Sequence, residues 1–514
     1  MKRSIRFRLN ERLYELPVRD EALALDWIRN EAGLKGTKEG CREGDCGACL
    51  VMFGGRDAAG QVEWQTVTSC TLAMGELDGR HIITIEGLAS AGLTPVMEAM
   101  LDEGASQCGF CSPGFILALT EYLISGDKVD AVAAMTAVEG NLCRCTGYGS
   151  IRRAASRLAE EFSGLPQGLT PRLQALSKCG VLPASLAAFM SDPPASIGRP
   201  AGSHPGTPTS AGNQASTGSN AILARAPAIG GGTDYFVRNP DPDEGLSLYF
   251  TGSEAEARAI GTRELEGKRY VSLGAGVTAT DFFNSPAVQA VAPGIERFER
   301  DIASPPIRNR ATLAGNIANA SPIADMTAIL IALDARLELR AAYSEGPSIE
   351  ASGNPNAPDG KDSTRYVSLP EFFLGYKKID LEPGERIRSI LIPAQPVLFN
   401  FEKAAKRARL DIATVNSAIG LTLGPDGTIT AARYAAGGVA PVPLRLQDIE
   451  AALTGKKPSA ALAREIGSMA MQAGSPIGDV RGSSAYRRRL MERFAWAHFI
   501  RLWPQLKLEE ELFK

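Results

Sequence analysis

Histidine is almost absent from this chain of 514 residues, which contains only His81, His204 and His498. That scarcity weighs against sites built on imidazole ligands, such as Rieske centres and Cys2His2 zinc sites. Basic residues are not in excess either, because 55 lysines and arginines stand against 58 aspartates and glutamates. With a formal net charge of -3, the chain is a poor candidate for nucleic-acid binding.

Long hydrophobic runs are also missing. No stretch reaches the roughly 18 apolar residues that a membrane span needs, and the first residues lack the apolar core of a signal peptide. We therefore expect a cytoplasmic protein without a membrane partner. The length predicts three or four domains, each large enough to bury a core.

Cysteine is the informative residue type. Eight of the nine cysteines form two groups, namely Cys41, Cys46, Cys49 and Cys70, then Cys108, Cys111, Cys143 and Cys145. The ninth, Cys179, stands alone and is most simply a small buried hydrophobic residue. The cytosol keeps thiols reduced, so the two groups predict metal sites rather than disulfides.

The first group has the spacing C-x4-C-x2-C followed by a distant Cys70, which is the plant-type ferredoxin pattern for a 2Fe-2S cluster. Gly40, Gly44 and Gly47 would let the loop fold tightly around such a cluster and direct N–H groups at sulfur. A zinc site is the alternative, although zinc usually uses paired C-x2-C elements, so the x4 gap counts against it.

The second group pairs a C-x2-C at Cys108 with a C-x-C at Cys143. A crowded C-x-C pair suits two ligands of a compact cluster. The helical patterns on either side indicate that helix N-termini adjoin the thiolates and stabilise their negative charge. Zinc remains the alternative for this group too.

Together, these groups in this order resemble the iron-sulfur region of the xanthine oxidase family of molybdenum hydroxylases. The resemblance implies an α+β multidomain fold that begins with a β-grasp 2Fe-2S ferredoxin domain over residues 1–85. A four-helix 2Fe-2S domain would follow over 86–165. All eight clustered cysteines would then be iron ligands.

Residues 192–221 are dense in proline, glycine, serine and threonine and poor in large apolar side chains. Such a stretch buries too little to offset its chain entropy, so we expect a linker over 166–221. This is a departure from the family, in which a strand and a helix usually precede the next feature, a glycine-rich loop.

A flavin site is indicated by two segments. The first, "AIGGGTDY", contains Gly230, Gly231 and Gly232, which allow close backbone approach to a pyrophosphate, although three glycines alone are often just a turn. The second, Ile302 to Leu330, has Pro305 and Pro306 at its start and one glycine, Gly315, that permits close backbone approach. Its polar groups, at Asn316, Ser321 and Asp325, suit a ribityl chain or adenosine. Together they resemble the vanillyl-alcohol-oxidase-type (PCMH-type) FAD domain of the same family.

That resemblance implies an FAD-binding domain over 222–395 and a small α+β C-terminal flavoprotein domain over 396–514. It places Asp325 on the adenosine side of FAD and Lys403 at the flavin edge. Alternatively, Lys403 and Asp411 are ordinary charged residues of the protein surface. Tyr376 either packs in the core or lines a nicotinamide pocket. The expected cofactor-binding residues are Ile229, Gly230, Gly231, Gly232, Thr233, Asp234, Tyr235, Thr312, Gly315, Asn316, Asp325, Ile387 and Lys403.

The family's molybdopterin domain has no counterpart here, because no remaining segment is long enough. The resemblance therefore implies a separate molybdopterin-binding large subunit, in a heterodimer or a dimer of heterodimers. Electrons from the oxidation of hypoxanthine or xanthine to urate would pass through two 2Fe-2S clusters and FAD to NAD. No residue of this chain is expected to act as a catalytic acid or base.

Two alternatives stay open. One is the electron-transfer component of another molybdenum hydroxylase, of the aldehyde oxidoreductase, carbon monoxide dehydrogenase or hydroxybenzoyl-CoA reductase type. The other belongs to a different class, a zinc-stabilised interaction module without a redox role. Colour separates the two classes, because flavin and ferric clusters absorb visible light and zinc does not.

Overall fold

The computed structural model describes residues 2–57, 60–126, 128–197, 227–246, 248–253, 255–341 and 364–513. These residues fall into two compact units. The first unit takes the described residues up to Ala255 together with Ser304–Ala311, and the second takes the rest. Each unit is described separately below. None of the described helices is long and apolar enough to cross a membrane.

The first unit begins with a five-stranded mixed sheet. In the order in which they lie side by side, its strands are Arg12–Arg19, Lys2–Leu9, His81–Ile83, Leu50–Arg56 and Val62–Thr68. Alternation in the first strand buries Ile5 and Phe7 against Ile28 of the helical segment that covers the sheet. That segment consists of an α-helical turn, Ala24–Asp26, and a π-helical turn, Trp27–Glu31. A mixed sheet with a helix packed on one face is the expected β-grasp arrangement.

A helical region follows. After a short helix at Ile85–Leu88, its four main helices are Pro95–Asp102, Ser112–Ser125, Ala131–Ala137 and Gly149–Glu161. Thr94 and Asp130 cap two of them by accepting from backbone N–H groups of the first turn. The apolar spacing of the sequence predicts three of these helices. It misses Ala131–Ala137, which is short and has Ala134 as its only buried residue.

The structure differs from the expected linker over 166–221 in its first part. Helices Leu169–Lys178 and Ala184–Met190 pack onto the helical core and bury Leu173, Leu176 and Leu186. The indole N–H of Trp64 donates to Met190 O at 3.0 Å, which attaches this helix pair to the sheet. Six or more buried apolar side chains over this stretch offset its ordering entropy. The rest of the expected linker, residues 198–221, and the start of the expected FAD domain at 222–226 lie outside the described residues.

The remaining described part of the first unit is short. Strands Ala228–Ile229 and Tyr249–Phe250 pair in parallel, and the helix Tyr235–Arg238 follows the glycine-rich loop. A helical turn at Pro305–Arg308 also belongs to this unit. Phe236 and Phe250 lie in a small apolar cluster with Leu23 and Ala73 of the β-grasp region.

The second unit contains an antiparallel five-stranded sheet. Its strands, in spatial order, are Thr364–Ser368, Arg336–Ala341, Glu385–Pro393, Lys268–Gly274 and Ile260–Leu265. The helices that cover it are Ala279–Asn284, Pro286–Val291, Leu313–Ala318 and Asp325–Ala332. The last of these is buried along its whole length, as its nearly continuous apolar sequence predicts.

An antiparallel four-stranded sheet completes the second unit. Its strands lie in the order Leu398–Ala404, Val415–Leu423, Ile429–Gly437 and Leu444–Arg445. Helices pack against it at Gln447–Leu453, Ala460–Gln472, Ser484–Leu502 and Glu509–Leu512. The sequence predicts helices near 446–455, 459–473 and 483–502, and the first three observed helices match these ranges. The domain boundaries proposed from the sequence remain proposals.

Candidate iron-sulfur and flavin sites

The first four cysteines converge in two pairs. The thiols of Cys41 and Cys46 are in hydrogen-bond contact with each other, and so are those of Cys49 and Cys70. Contact with Cys46 lowers the pKa of Cys41 to about 5, and the hydrogen bond to Cys70 lowers the pKa of Cys49. The loop backbone adds to this, because Glu43 N donates to Cys41 Sγ at 3.3 Å. The same thiol contacts raise the pKa of Cys46 and of Cys70, so each pair favours one thiolate and one thiol.

The cysteines of the second group also pair. Cys108 contacts Cys145, and Cys111 contacts Cys143. Thr146 Oγ1 donates to Cys143 Sγ at 3.1 Å, which favours the thiolate of Cys143. Cys111 immediately precedes the helix Ser112–Ser125, so one expected helix N-terminus does adjoin a thiol of this group.

These donor sets fit 2Fe-2S clusters. All nine cysteines are free thiols, and each group supplies two contacting pairs, which suits two iron atoms with two terminal thiolates each. Within the part of the chain that the structure describes, no three His, Cys, Asp or Glu side chains form a ready site for one metal ion. The assignment of four cysteines to each cluster is consistent with this pairing. That each individual cysteine is an iron ligand remains a prediction.

The two cysteine loops contact each other directly. Leu142 N donates to Cys46 O at 3.0 Å, and Asn141 Nδ2 donates to Gly47 O at 3.3 Å. A Cβ on Gly47 would lie 2.4 Å from Gly140 O, and one on Gly114 would lie 2.2 Å from Gly47 O. Sequence reasoning found Gly47 but missed Asn141 and Gly114, whose only signal is their position within three residues of a cysteine.

In the first unit, the glycine-rich loop 229–235 packs against Arg310. A Cβ on Gly231 would lie 1.6 Å from the carbonyl oxygen of Arg310, and Gly232 has a φ of +71°. The conformation and packing of the loop therefore explain why two of these three positions are glycine, independently of the expected approach of a pyrophosphate. Ile229 is buried, Thr233 and Tyr235 are half-buried, and Asp234 is exposed and paired with Arg238.

The other expected flavin residues lie in the second unit. Thr312 caps the helix Leu313–Ala318 by accepting from Gly315 N at 3.1 Å, and Gly315 itself is exposed. The side chain of Asn316 accepts from Thr327 Oγ1 at 3.0 Å. Ile387 is a buried residue of the central strand, whereas Tyr376 is 64% exposed, which removes core packing as its role.

Asp325 and Lys403 form a buried ion pair in the second unit. Lys403 Nζ lies 2.7 Å from Asp325 Oδ2 and donates to Asp301 O at 2.7 Å. Asn416 Nδ2 donates to Asp325 Oδ1 at 2.6 Å. Burial raises the pKa of Asp325, and the ammonium of Lys403 and the amide of Asn416 oppose that shift.

This pairing changes the expected division of roles. The sequence reading put Asp325 on the adenosine side and Lys403 at the flavin edge, but two groups in contact cannot hold opposite ends of an extended dinucleotide. The alternative reading of Lys403 as a surface charge is excluded by its burial. Asp411, by contrast, accepts from Arg407 N in an exposed loop, as a surface charge would. Asn416 and Asp301 were missed, because they lie far from Asp325 in sequence.

Four family models match the sequence. They are a 2Fe-2S iron-sulfur cluster binding domain over residues 7–74 and a [2Fe-2S] binding domain over 84–156. An FAD binding domain in molybdopterin dehydrogenase matches residues 255–348, and a CO dehydrogenase flavoprotein C-terminal domain matches 401–501. The glycine-rich loop and Ile387 lie outside these matches.

Curated relatives cover most of the chain at low identity. Xanthine dehydrogenase of Emericella nidulans is 27% identical over 96% of this chain, which spans 38% of the length of that relative. The nicotinate dehydrogenase small FeS subunit of Eubacterium barkeri is 38% identical over 31% of this chain and 96% of its own length. Among solved structures, carbon monoxide dehydrogenase from Hydrogenophaga pseudoflava is 27% identical with a TM-score of 0.46, covering 55% of this chain and 91% of that one.

The fold and the matched domains define an oxidoreductase component that carries two 2Fe-2S binding domains and an FAD-binding domain. The chain belongs to the xanthine oxidase family of molybdenum hydroxylases.

Proposed function

We propose that the chain is the iron-sulfur and FAD subunit of a xanthine dehydrogenase, which takes electrons from a molybdopterin-binding subunit and delivers them to NAD. The observation that carries the proposal is the presence of two contacting four-cysteine loops and a flavin domain on one chain. When bound, the clusters carry electrons one at a time and the flavin collects them in pairs, which suits the reduction of NAD.

The surroundings of the second cysteine group support a partner at that point. Cys108 and Cys145 are exposed, and Phe110, Leu142 and Tyr148 beside them expose 39 to 46% of their surfaces. Apolar side chains exposed around metal ligands are unusual on a surface that stays in water. A partner subunit docked over them would bring its redox centre close to the second cluster.

The chain's own residues would act by holding cofactors and excluding water. Cys108 and Cys145 of the second group are exposed, whereas Cys49 and Cys70 of the first group are almost fully buried, so electrons would enter at the second group and move inward. In the second unit, Asp325 and Lys403 would offer a fixed pair of opposite charges to the flavin cofactor.

A second candidate has an observation of its own. The nicotinate dehydrogenase subunit is 38% identical to the iron-sulfur region of this chain, whereas the xanthine dehydrogenase is 27% identical over nearly the whole chain. The partner would then hydroxylate a pyridine carboxylate rather than a purine. The domains of this chain serve either reaction, because the substrate would bind to the partner.

The test is to purify the chain with its partner and to measure NADH formation with hypoxanthine and with nicotinate in parallel assays. We expect hypoxanthine to support NADH formation. Nicotinate alone supporting it would transfer the assignment to the second candidate, and oxygen consumption without NADH formation would remove NAD as the acceptor. A colourless preparation that contains zinc and no iron would overturn both candidates.

A further inference from the structure

Arg310 is a buried arginine that joins three separate parts of the first unit. Its Nη2 atom donates to Gly231 O at 2.6 Å, to Glu76 Oε2 at 2.8 Å and to Thr71 O at 3.3 Å. Only 6% of Arg310 is exposed, and the ion pair with Glu76 is correspondingly shielded from water. We call Arg310 and these three acceptors the Arg310 bridge.

One end of the Arg310 bridge adjoins a cysteine of the first group. Thr71 directly follows Cys70 in a 3-10 turn, and both residues are almost fully buried. Charges act strongly on one another where water is excluded. Net charge and hydrogen bonding around an iron-sulfur cluster are among the factors that set its reduction potential. Arg310 and Glu76 are therefore placed to influence a cluster held by Cys70.

The other end of the bridge is the glycine-rich loop. No side chain separates this loop from the Cys70 turn, because a Cβ on Gly232 would lie 3.2 Å from Thr71 O. Gly231 is closer still to the backbone of Arg310, because a Cβ there would lie 1.6 Å from Arg310 O. The Nε atom of Arg310 is buried and has no hydrogen-bond partner among the described residues. A buried donor without an acceptor is costly, which favours an acceptor that the described protein atoms do not supply.

We propose that Arg310 is a positioning residue for electron transfer: with Glu76 it sets the reduction potential of the cluster bound through Cys70, and it fixes the Cys70 turn against the glycine-rich loop. The proposal rests on the proposed function, because it requires a 2Fe-2S cluster at Cys70 and FAD at the loop. The step concerned moves one electron. One ferrous iron of the reduced cluster becomes ferric, the flavin gains the electron, and no covalent bond breaks.

The sign of each effect follows from charge. Reduction adds one negative charge to the cluster, so a nearby positive charge favours the reduced form and a nearby negative charge disfavours it. Arg310→Met should therefore lower the potential of the first cluster. Glu76→Gln should raise it, and the double variant should lie between the two single variants. A residue with a purely structural role would not shift the potential in opposite directions with the sign of the charge removed.

The experiment is an anaerobic titration of the chain in complex with its partner, with dithionite as reductant and electron paramagnetic resonance to follow each cluster. We expect each single variant to change the reduction equilibrium of the first cluster about tenfold, which is about 59 mV for one electron. The second cluster serves as the internal reference and should keep its potential. Arg310→Met should also retain less flavin after gel filtration, because the glycine-rich loop loses a hydrogen bond.

Arg172→Met is the matched control. Arg172 is also a buried arginine of the first unit, and it donates to the backbone carbonyls of Gly126 and Pro166, away from Cys70. It should lower thermal stability and leave both potentials unchanged. If Arg310→Met fails to assemble a cluster, Glu76→Gln and the charge-conserving Arg310→Lys provide the test. Arg310→Lys should keep the reduction equilibrium of the first cluster within about threefold of the unmodified chain.

The possible failures are distinguishable. Unchanged potentials in both single variants, or shifts in the same direction, would overturn the role of the Arg310 bridge while leaving the electron-transfer function intact. Shifts of equal size with Arg172→Met would also overturn it. Absence of any iron-sulfur signal from the unmodified complex would instead overturn the proposed function.

Discussion

The backbone N–H of Leu142 donates to the carbonyl oxygen of Cys46 at 3.0 Å, so the two cysteine groups share a hydrogen bond. Leu142 immediately precedes Cys143, and the amide of Asn141 makes a second contact to Gly47. Each cysteine loop therefore packs against the loop that would hold the other cluster. Changes designed for one cluster are expected to reach its neighbour when they fall on this contact.

Gly47→Ala tests that contact. Gly47 has a φ of +68°, and a new Cβ would lie 2.4 Å from Gly140 O and 2.6 Å from Asn141 Nδ2. Because a side chain cannot be accommodated without moving the backbone before Cys143, we expect iron to be lost from both clusters. Iron per chain and the two paramagnetic signals give the measurement.

Gly164→Ala is the control for this substitution, because Gly164 has open space where a Cβ would be and no positive φ. It should keep the full iron content. Loss of only the first cluster in Gly47→Ala would show that the two loops assemble independently of one another.

The ligand assignment predicts a different pattern for cysteine substitutions. Cys46→Ser removes one thiol of the Cys41–Cys46 pair but leaves the backbone carbonyl that Leu142 contacts. We expect the first cluster to be lost and the second to be retained. Electron paramagnetic resonance, which gives a separate signal for each cluster, is the measurement. Cys179→Ser should leave both signals intact, because Cys179 is exposed and belongs to neither group. Two unchanged signals in Cys46→Ser would remove Cys46 from the ligand set.

The sequence alone predicts those parts of the molecule whose signal is local. Alternation and three-to-four spacing indicate strands such as Lys2–Leu9 and helices such as Ser112–Ser125, and cysteine spacing indicates two iron-sulfur domains, which the family matches confirm. Cys179 shows the limit of such reasoning, because the sequence predicts a buried residue and the side chain is instead exposed, just after the helix Leu169–Lys178.

Long-range contacts explain most of what sequence reasoning missed. Arg310 lies more than 230 residues from Glu76, and Asn416 lies 91 residues from Asp325. No spacing rule connects such residues, since the fold alone brings them together. The helix pair between residues 169 and 190 was missed for a different reason, because it directly precedes the proline-rich and glycine-rich residues 192–221 and was included with them in the expected linker.

The Asp325–Lys403 pair predicts a strong effect of removing one partner. Lys403→Met would leave a buried carboxylate with Asn416 as its remaining hydrogen-bond donor. Breaking a buried pair in this way typically costs about 3–5 kcal/mol. We expect a lower thermal unfolding midpoint in the flavin-free chain and weaker retention of FAD.

The double variant Asp325→Asn/Lys403→Met separates these two effects. Removing both charges abolishes the unpaired carboxylate, so much of the thermal stability should return. FAD retention should stay low if the ion pair contacts the cofactor. Full FAD retention in the double variant would remove the pair from the flavin site and leave it a purely stabilising role.

The burial of His498 predicts how the stability of the C-terminal region depends on pH. Its imidazole is fully buried between Asn400 Nδ2 at 2.8 Å and Ser417 Oγ at 2.9 Å, and burial lowers its pKa to about 3. The unfolded chain takes up a proton near pH 6.5, whereas the folded chain resists it until the pH approaches 3. The stability contributed by neutral His498 is therefore complete above pH 6.5 and declines as the pH falls toward 3, by up to about 1.4 kcal/mol per pH unit.

His498→Gln provides the matched comparison, because glutamine keeps a donor and an acceptor but does not titrate. Thermal unfolding of both proteins should be followed between pH 7.5 and pH 5, with flavin absent. We expect the variant to be less stable at pH 7.5, where its fit is poorer, and to lose less stability on acidification. His81, buried in the first unit with its pKa lowered to about 4 by burial, remains in both proteins and cancels in the comparison. Parallel stability curves for the two proteins would show that His498 binds protons equally in the folded and unfolded chain, and would contradict the lowered pKa of its imidazole.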